Sequence, residues 1–371
     1  MSKKVKTVIV TNAPAPYRVP GWRILSETED ISLNVIYCTK PHIDINLDFS
    51  EHGFPIFFLK SRYYVFDKRF LHFDLSIWNL LNKICPDVVI TTGFIPTYLI
   101  AFAWSVIHKV PHVVMSDGTA QSEKSLSWFH RMIRRLVYSR SVSFIGACEG
   151  SRTLFHQYLI SDERIHLSYL CIKNDRFIKN NVVPNFDFIF CSRFIQHKRP
   201  IFALQVAREV AICLGRKTSI QMVGTGNMLA EVQAFATQIT DLVDTYFCGY
   251  VKQNKLPNLY LNSRIFLFPT EWDPWGVVAN EACAAGLPVI VSPYAGVAGE
   301  LVLDGVNGYV LDLNVELWSK AAVSLLVDDN HYAQFSKKSL ERVAKYSFEN
   351  AANGLSDAIK QASILNFKNI S

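Results

Sequence analysis

Residues 265–292 read IFLFPTEWDPWGVVANEACAAGLPVIVS. The stretch holds an apolar run, a polar turn with Trp, Pro and Gly, a helical spacing, a glycine and a second apolar run. Ile265–Pro269 and Pro288–Ser292 are short, aromatic or β-branched and bounded by turn residues, which predicts two strands. Between them Val277, Val278, Glu281 and Ala282 recur at helical intervals, and Gly286 suits the left-handed position that ends a helix. Strand, helix and strand in so short a span form a βαβ unit, whose strands run parallel. Asp273 followed by Pro274 predicts an N-cap with proline at the first helical position. Asp273 and Glu281 would then project from the start and the third turn of one helix. Glu281 has small apolar neighbours, among which an unpaired carboxylate is costly, and ribose hydroxyls would satisfy it.

The alternation continues in both directions. Upstream, the strand candidates are Val5–Thr11, Ser32–Cys38, Pro55–Leu59, Asp87–Thr92, His112–Ser116 and Ser143–Ala147, then Phe186–Cys191, Ser219–Val223 and Asp244–Cys248; downstream comes Gly308–Leu311. Residues 174–186, NDRFIKNNVVPNF, are polar and aperiodic, as a linker would be. The expected architecture is α/β with two doubly wound domains: residues 1–173, residues 174–346, and a C-terminal helix in 347–371 that packs back on the N-terminal domain. A length of 371 residues suits two medium domains, and with half the residues apolar and 19% charged the chain is far from disordered composition.

The net charge of +6 is uneven: residues 1–175 carry 20 of the 38 basic and 15 of the 32 acidic residues. Lys124, Arg131, Arg134, Arg135 and Arg140 fall in one stretch without Asp or Glu. Phe129, Met132, Ile133, Leu136 and Val137 recur there at helical spacing, so the helix is read either as core-packed with a solvated basic face or as a surface for anionic lipid. A second basic and aromatic cluster, Lys60–Phe70, supports the lipid reading. The eight cysteines show no metal-ligand spacing, and buried reduced thiols are expected. The start is basic but lacks the apolar core of a signal peptide, and the longest apolar stretch, Phe94–Ile107, is too short to span a bilayer and contains Pro96. A cytoplasmic protein is expected.

In parallel sheets ligands sit beyond the carboxyl ends of the strands. After Phe186–Cys191 come Arg193, Lys198 and Arg199, cations at a strand-to-helix turn that would clamp a diphosphate; a solvated basic loop is the alternative. After Ser219–Val223 comes Gly224-Thr225-Gly226, which lets backbone approach a ligand or simply makes a tight turn. It is not the dinucleotide pattern, since Leu229 stands where the third glycine would be, and the first strand ends in Thr11-Asn12-Ala13-Pro14 without a glycine. A nicotinamide dehydrogenase is not favoured. No Asp-x-Asp occurs in the chain, and no metal site is expected.

The acidic pair, followed by Glu281-Ala282-Cys283-Ala284-Ala285-Gly286-Leu287-Pro288-Val289, resembles the acid-x7-acid signature of family-four retaining glycosyltransferases. Ser192-Arg193 with Lys198 resembles the diphosphate site of that family, Gly224-Thr225-Gly226 its glycine turn, and Phe247-Cys248-Gly249-Tyr250-Val251 its strand end. Ala15-Pro16-Tyr17-Arg18-Val19-Pro20 is similar to the start of members that build bacterial surface polysaccharides. The resemblance implies a GT-B fold, two facing Rossmann-like domains with the donor on the second. It implies retaining, metal-independent transfer from a UDP- or GDP-linked sugar to a hydroxyl of a glycan or lipid-linked acceptor, in lipopolysaccharide or capsule synthesis, with no cofactor and no nucleic-acid partner. It gives Asp273, Arg193 and Lys198 catalytic positions; Gly224, Gly226, Trp275, Gly276 and Glu281 the nucleotide; and Tyr17, Arg18 and Asp117 the acceptor side. Asp273 stands where the family has Glu, with Glu271 as a competitor for the role, and Asp117 stands where it often has His. A sugar-nucleotide epimerase and a silent nucleotide-sugar-binding partner are the other readings. Peripheral attachment to the inner face of the cell membrane is expected.

Overall fold

The computed structural model of the chain describes residues 4–39, 52–60, 63–66, 69–123, 126–177 and 184–365, with backbone alone for 63–66 and 69–71. The chain divides into two units, Met1–Cys171 with Phe348–Ser371, and Ile172–Ser347.

The strands of the first unit are β1 (Val5–Thr11), β2 (Ile31–Tyr37), β3 (Ile56–Phe58), β4 (Tyr63–Phe66), β5 (Arg69–His72), β6 (Val88–Thr91), β7 (His112–Ser116), β8 (Ser143–Gly146) and β9 (Ile165–Leu167). Seven of them form a parallel sheet in the order β3-β2-β1-β6-β7-β8-β9, while β4 and β5 pair as an antiparallel hairpin. A parallel sheet is covered on both faces, which is why its strands read as continuous apolar runs. In β1, Ile9 packs on one side with Leu33, Val35, Ile90 and Val113, and Val8 and Val10 pack on the other with Ile36, Val89 and Trp104. The helix Phe348–Ile364 returns to this unit and lays Ala352, Leu355, Ala358, Ile359 and Ala362 on the Ile9 side.

The second unit holds β10 (Phe186–Cys191), β11 (Thr218–Val223), β12 (Val243–Gly249), β13 (Ser263–Phe268), β14 (Val289–Val291) and β15 (Gly308–Val310), in the order β12-β11-β10-β13-β14-β15. All its pairings are parallel. In both sheets the order reverses beside the first strand, between β1 and β6 and between β10 and β13, and such a switch point opens a crevice at the carboxyl ends.

The twelve expected strands are present within two residues at either end. The β4–β5 hairpin and β9 are additional. The cluster Lys60–Phe70 lies largely outside the described residues, apart from Lys60 and the backbone of the hairpin. Lys124 lies outside them too, as does 178–183 of the expected linker, whose start, Asn174–Phe177, is a short 3-10 turn. The thiols depart from expectation at three positions: Cys85 and Cys213, each near the end of a helix, are exposed and Cys248 is half-buried, while all eight are free.

Candidate active site at the strand ends

The segment after β10 leaves the sheet at Ser192 and runs against the turn after β11. Ser192 N donates to Val223 O (3.0 Å), Phe194 N to Thr225 O (2.8 Å) and Met228 N to Phe194 O (3.0 Å). Only glycine fits this approach. A Cβ on Gly224, at φ +132°, would stand 1.9 Å from Ser192 O, and one on Gly226 2.2 Å from Phe194 O. The Gly-Thr-Gly turn therefore holds the cation-bearing segment in place from below.

That segment makes a 3-10 turn, Gln196–Lys198, before the helix Pro200–Leu214. Lys198 is buried, and its ammonium meets three acceptors: Asp273 Oδ2 (2.7 Å), Trp272 O (3.0 Å) and Thr270 Oγ1 (3.2 Å). Three protons and three acceptors saturate it. Arg199 instead pairs with Glu271, Nε to Oε1 at 2.7 Å, so the acid at Lys198 is Asp273 and not Glu271. Arg193 is exposed, and among the described residues its guanidinium has no ion pair. The His197 pKa is lowered, first by burial and then by the charges of Lys198 and Arg193.

Asp273 does not cap the following helix, contrary to the sequence expectation. That helix runs Val277–Ala284, and its N-cap is Gly276, at φ +104°, where a Cβ would stand 2.4 Å from the Phe268 ring. Asp273 lies in the preceding loop, bridged to Ala295, and its Oδ1 accepts from Trp275 N (3.1 Å) in an Asx turn that spans Pro274. The two acids are thus not on one helix: Asp273 belongs to the loop after β13, and Glu281 to the helix. The Trp275 indole is enclosed, donating to Asn280 Oδ1 (2.9 Å) and tilted over Tyr346, so Trp275 supports the loop from inside.

Glu281 is buried at the centre of that helix. Its Oε2 accepts from the Tyr260 hydroxyl (2.9 Å), and its other oxygen has no hydrogen bond among the described residues. Burial pushes the carboxyl up to about 7, against the pull of the Tyr260 bond. The neighbouring Cys191 thiol is pushed up to about 12, by burial and then by the Glu281 charge.

In the first unit the structure brings Tyr17, Arg18 and Asp117 together beyond β1 and β7. The Arg18 guanidinium is buried, donates to Ser168 O (2.9 Å) and pairs with Asp117. Burial and then the Asp117 charge raise the Tyr17 pKa. His112, at the opposite end of β7, is held by Thr91 and Ser141 and pushed down to about 3 by burial, which marks it as a neutral structural side chain.

Thr270 and Tyr260 had no signal in the sequence reading. A hydroxyl directly after an apolar strand marks Thr270 in retrospect, whereas Tyr260 sits among apolar residues and resembles any core aromatic.

A sequence model described as glycosyl transferases group 1 matches residues 172–342, nearly the whole second unit. The second unit is a group 1 glycosyl transferase domain. An uncharacterised glycosyltransferase of Methanocaldococcus jannaschii is 22% identical over 299 residues, 74% of this chain and 76% of that protein. The O-antigen chain mannosyltransferase B of Escherichia coli is 30% identical over 115 residues, 31% of this chain and 29% of its own length. Among solved structures, HepE of Anabaena in complex with UDP aligns over 96% of this chain and 99% of its own with a TM-score of 0.75 at 15% identity, which shows the shared fold. The two doubly wound units of this glycosyltransferase are those of GT-B enzymes.

Proposed function

We propose that this glycosyltransferase moves a sugar, with retention of anomeric configuration, from a nucleotide-diphosphate sugar to a hydroxyl of a glycan or lipid-linked acceptor, without a metal. One observation carries the reading: at the switch point of the second sheet, Arg193, Lys198, Asp273 and Glu281 gather beyond the carboxyl ends of β10 and β13. As the glycosidic bond breaks, the sugar becomes cationic and negative charge builds on the leaving diphosphate, so fixed cations stabilise the transition state more than the ground state. Arg193, without an ion pair among the described residues, supplies a fork for that charge, and Lys198 holds Asp273 at 2.7 Å. The Asp273 carboxylate, partly exposed, is positioned for a hydroxyl of the transferred sugar, and the unpaired oxygen of Glu281 for the ribose. HepE was solved with UDP, which makes UDP-sugars the first donors to try. The likeness to the O-antigen mannosyltransferase supports a role in surface polysaccharide synthesis. Eight free thiols support a reducing, cytoplasmic setting.

A panel of UDP- and GDP-sugars, incubated with glycan and lipid-linked acceptors in the presence of EDTA, tests the reading. A new glycoside with the anomeric configuration of the donor supports it. An epimerised donor, an inverted linkage or donor binding without product overturns it.

A further inference from the structure

The helix Trp128–Arg140 carries its apolar side chains on the outside. Trp128 is 73% exposed, Phe129 52%, Met132 47% and Leu136 57%, whereas Val137 and Tyr138 are buried. At 100° per residue the four exposed side chains fall within an arc of about 100°. Arg131 and Arg135 border one edge of that arc and Arg140 the other. These three arginines are exposed and without ion pairs among the described residues. Arg134 is turned inward, paired with Glu123 at 2.9 Å and lying over the Phe94 ring, so the Glu123 carboxylate is already neutralised. Leu159, at the end of the helix Glu149–Gln157, is 93% exposed in a left-handed conformation that leucine rarely adopts, and it lines an open cavity with Arg131 and Arg135. A solvated helix keeps polar residues outward, and clustered exposed apolar side chains mark a contact surface.

We propose that this helix, with Leu159, is a docking surface for an anionic lipid bilayer. An apolar face rich in Trp, Phe and Leu between arginines is the pattern of a helix that lies in the plane of a membrane interface: the apolar side chains enter the acyl boundary and the guanidinium groups stay at the level of the lipid phosphates. The unneutralised positive charge selects a bilayer over a protein surface of mixed charge. The inference deepens the proposed function by bringing the first unit to a lipid-linked acceptor, and rests on that reading for its purpose only, since binding is measurable without sugar transfer.

The test is sedimentation of the full chain with vesicles of phosphatidylcholine, with and without about one third phosphatidylglycerol, at low salt. The chain is expected to pellet with the anionic vesicles at least tenfold more tightly than with the neutral ones. Arg131→Gln and Arg135→Gln should each weaken this about fivefold, the factor for about 1 kcal/mol per basic side chain near such a surface. Trp128→Ser with Met132→Ser should abolish it without lowering the thermal midpoint, because both side chains are exposed. Hydrolysis of a donor sugar free in solution should be unchanged in all these variants, so a failure to bind vesicles and a failure to use a nucleotide sugar are read separately. Equal binding to both vesicle types, or variants that bind like the wild type, would overturn the proposal. Self-association of the chain, abolished by the same serine substitutions and with no vesicle binding, would also overturn it.

Discussion

Replacing Glu281 by Gln should weaken nucleotide binding while making the free protein more stable above neutral pH. The carboxyl titrates near 7 because it is buried, against an ordinary value of 4.5. The folded state therefore prefers the protonated form, and the stability linked to this group is full below the ordinary value and is lost as the pH rises through about 7. At about 1.4 kcal/mol per unit, ionising Glu281 above pH 7 costs the free protein roughly 3 kcal/mol. Gln retains an acceptor for Tyr260 and carries no charge, so its thermal midpoint at about pH 8 should rise by some 2–4 °C per kcal/mol recovered. Binding responds the other way. On the proposed reading, ribose hydroxyls donating to the ionised carboxylate would contribute about 1.5–3 kcal/mol and draw its pKa back down, so affinity for UDP should fall about tenfold between about pH 8 and pH 6. The phosphate of UDP titrates in the same range, and the variant removes that ambiguity because the ligand's own contribution persists in it. Calorimetric titration with UDP across that range, on both proteins, is the assay. A pH slope equal in wild type and variant would refute the ribose assignment, and a lower midpoint in the variant would refute the account of burial.

Lys198→Ala should reduce transfer at least tenfold and destabilise the second unit by roughly 2 kcal/mol, less than the ~3–5 kcal/mol of a fully buried pair because Asp273 keeps 21% of its side chain exposed; initial rates and a denaturant titration check both. Asp273→Asn should spare affinity for free UDP and abolish transfer, which calorimetry and a product assay separate. Gly224→Ala should cost more than about 3 kcal/mol, through a Cβ placed 1.9 Å from Ser192 O at φ +132°, and should show as a lower unfolding midpoint of the second unit.

The positions of twelve strands and the doubly wound class were legible because buried parallel strands leave continuous apolar runs such as Phe186–Cys191, with turn residues between them; the order of the strands within each sheet was not read from the sequence. β9 was not, because three residues with His166 in the middle carry no period. The hairpin β4–β5 was not, because strands of four residues, YYVF and RFLH, carry no clear alternation. Within the site, Glu281 was legible as a carboxylate out of place on an apolar helix. The start of that helix was misread: Asp-Pro is a common helix opening, but here Gly276 alone tolerates the left-handed backbone beneath Phe268, and Asp273 closes an Asx turn around the proline instead. The pairing of Lys198 with Asp273 joins residues 75 apart in sequence, and no local pattern announces such a bond.

That pairing changes the division of labour among the cations. An ammonium has three protons, and those of Lys198 are directed to Asp273, Thr270 and Trp272, all on the loop after β13. Lys198 thus joins the ends of the two strands that flank the switch point, and it fixes the Asp273 carboxylate in one orientation. Arg199, adjacent in sequence, is occupied by Glu271. Of the three cations after β10, Arg193 is the one without an ion pair among the described residues, and a planar fork matches two phosphate oxygens where a point charge does not. On the proposed reading, the charge that develops on a leaving diphosphate would be met first by Arg193. Lys198, its charge compensated by the Asp273 carboxylate at 2.7 Å, would act through the acid it holds.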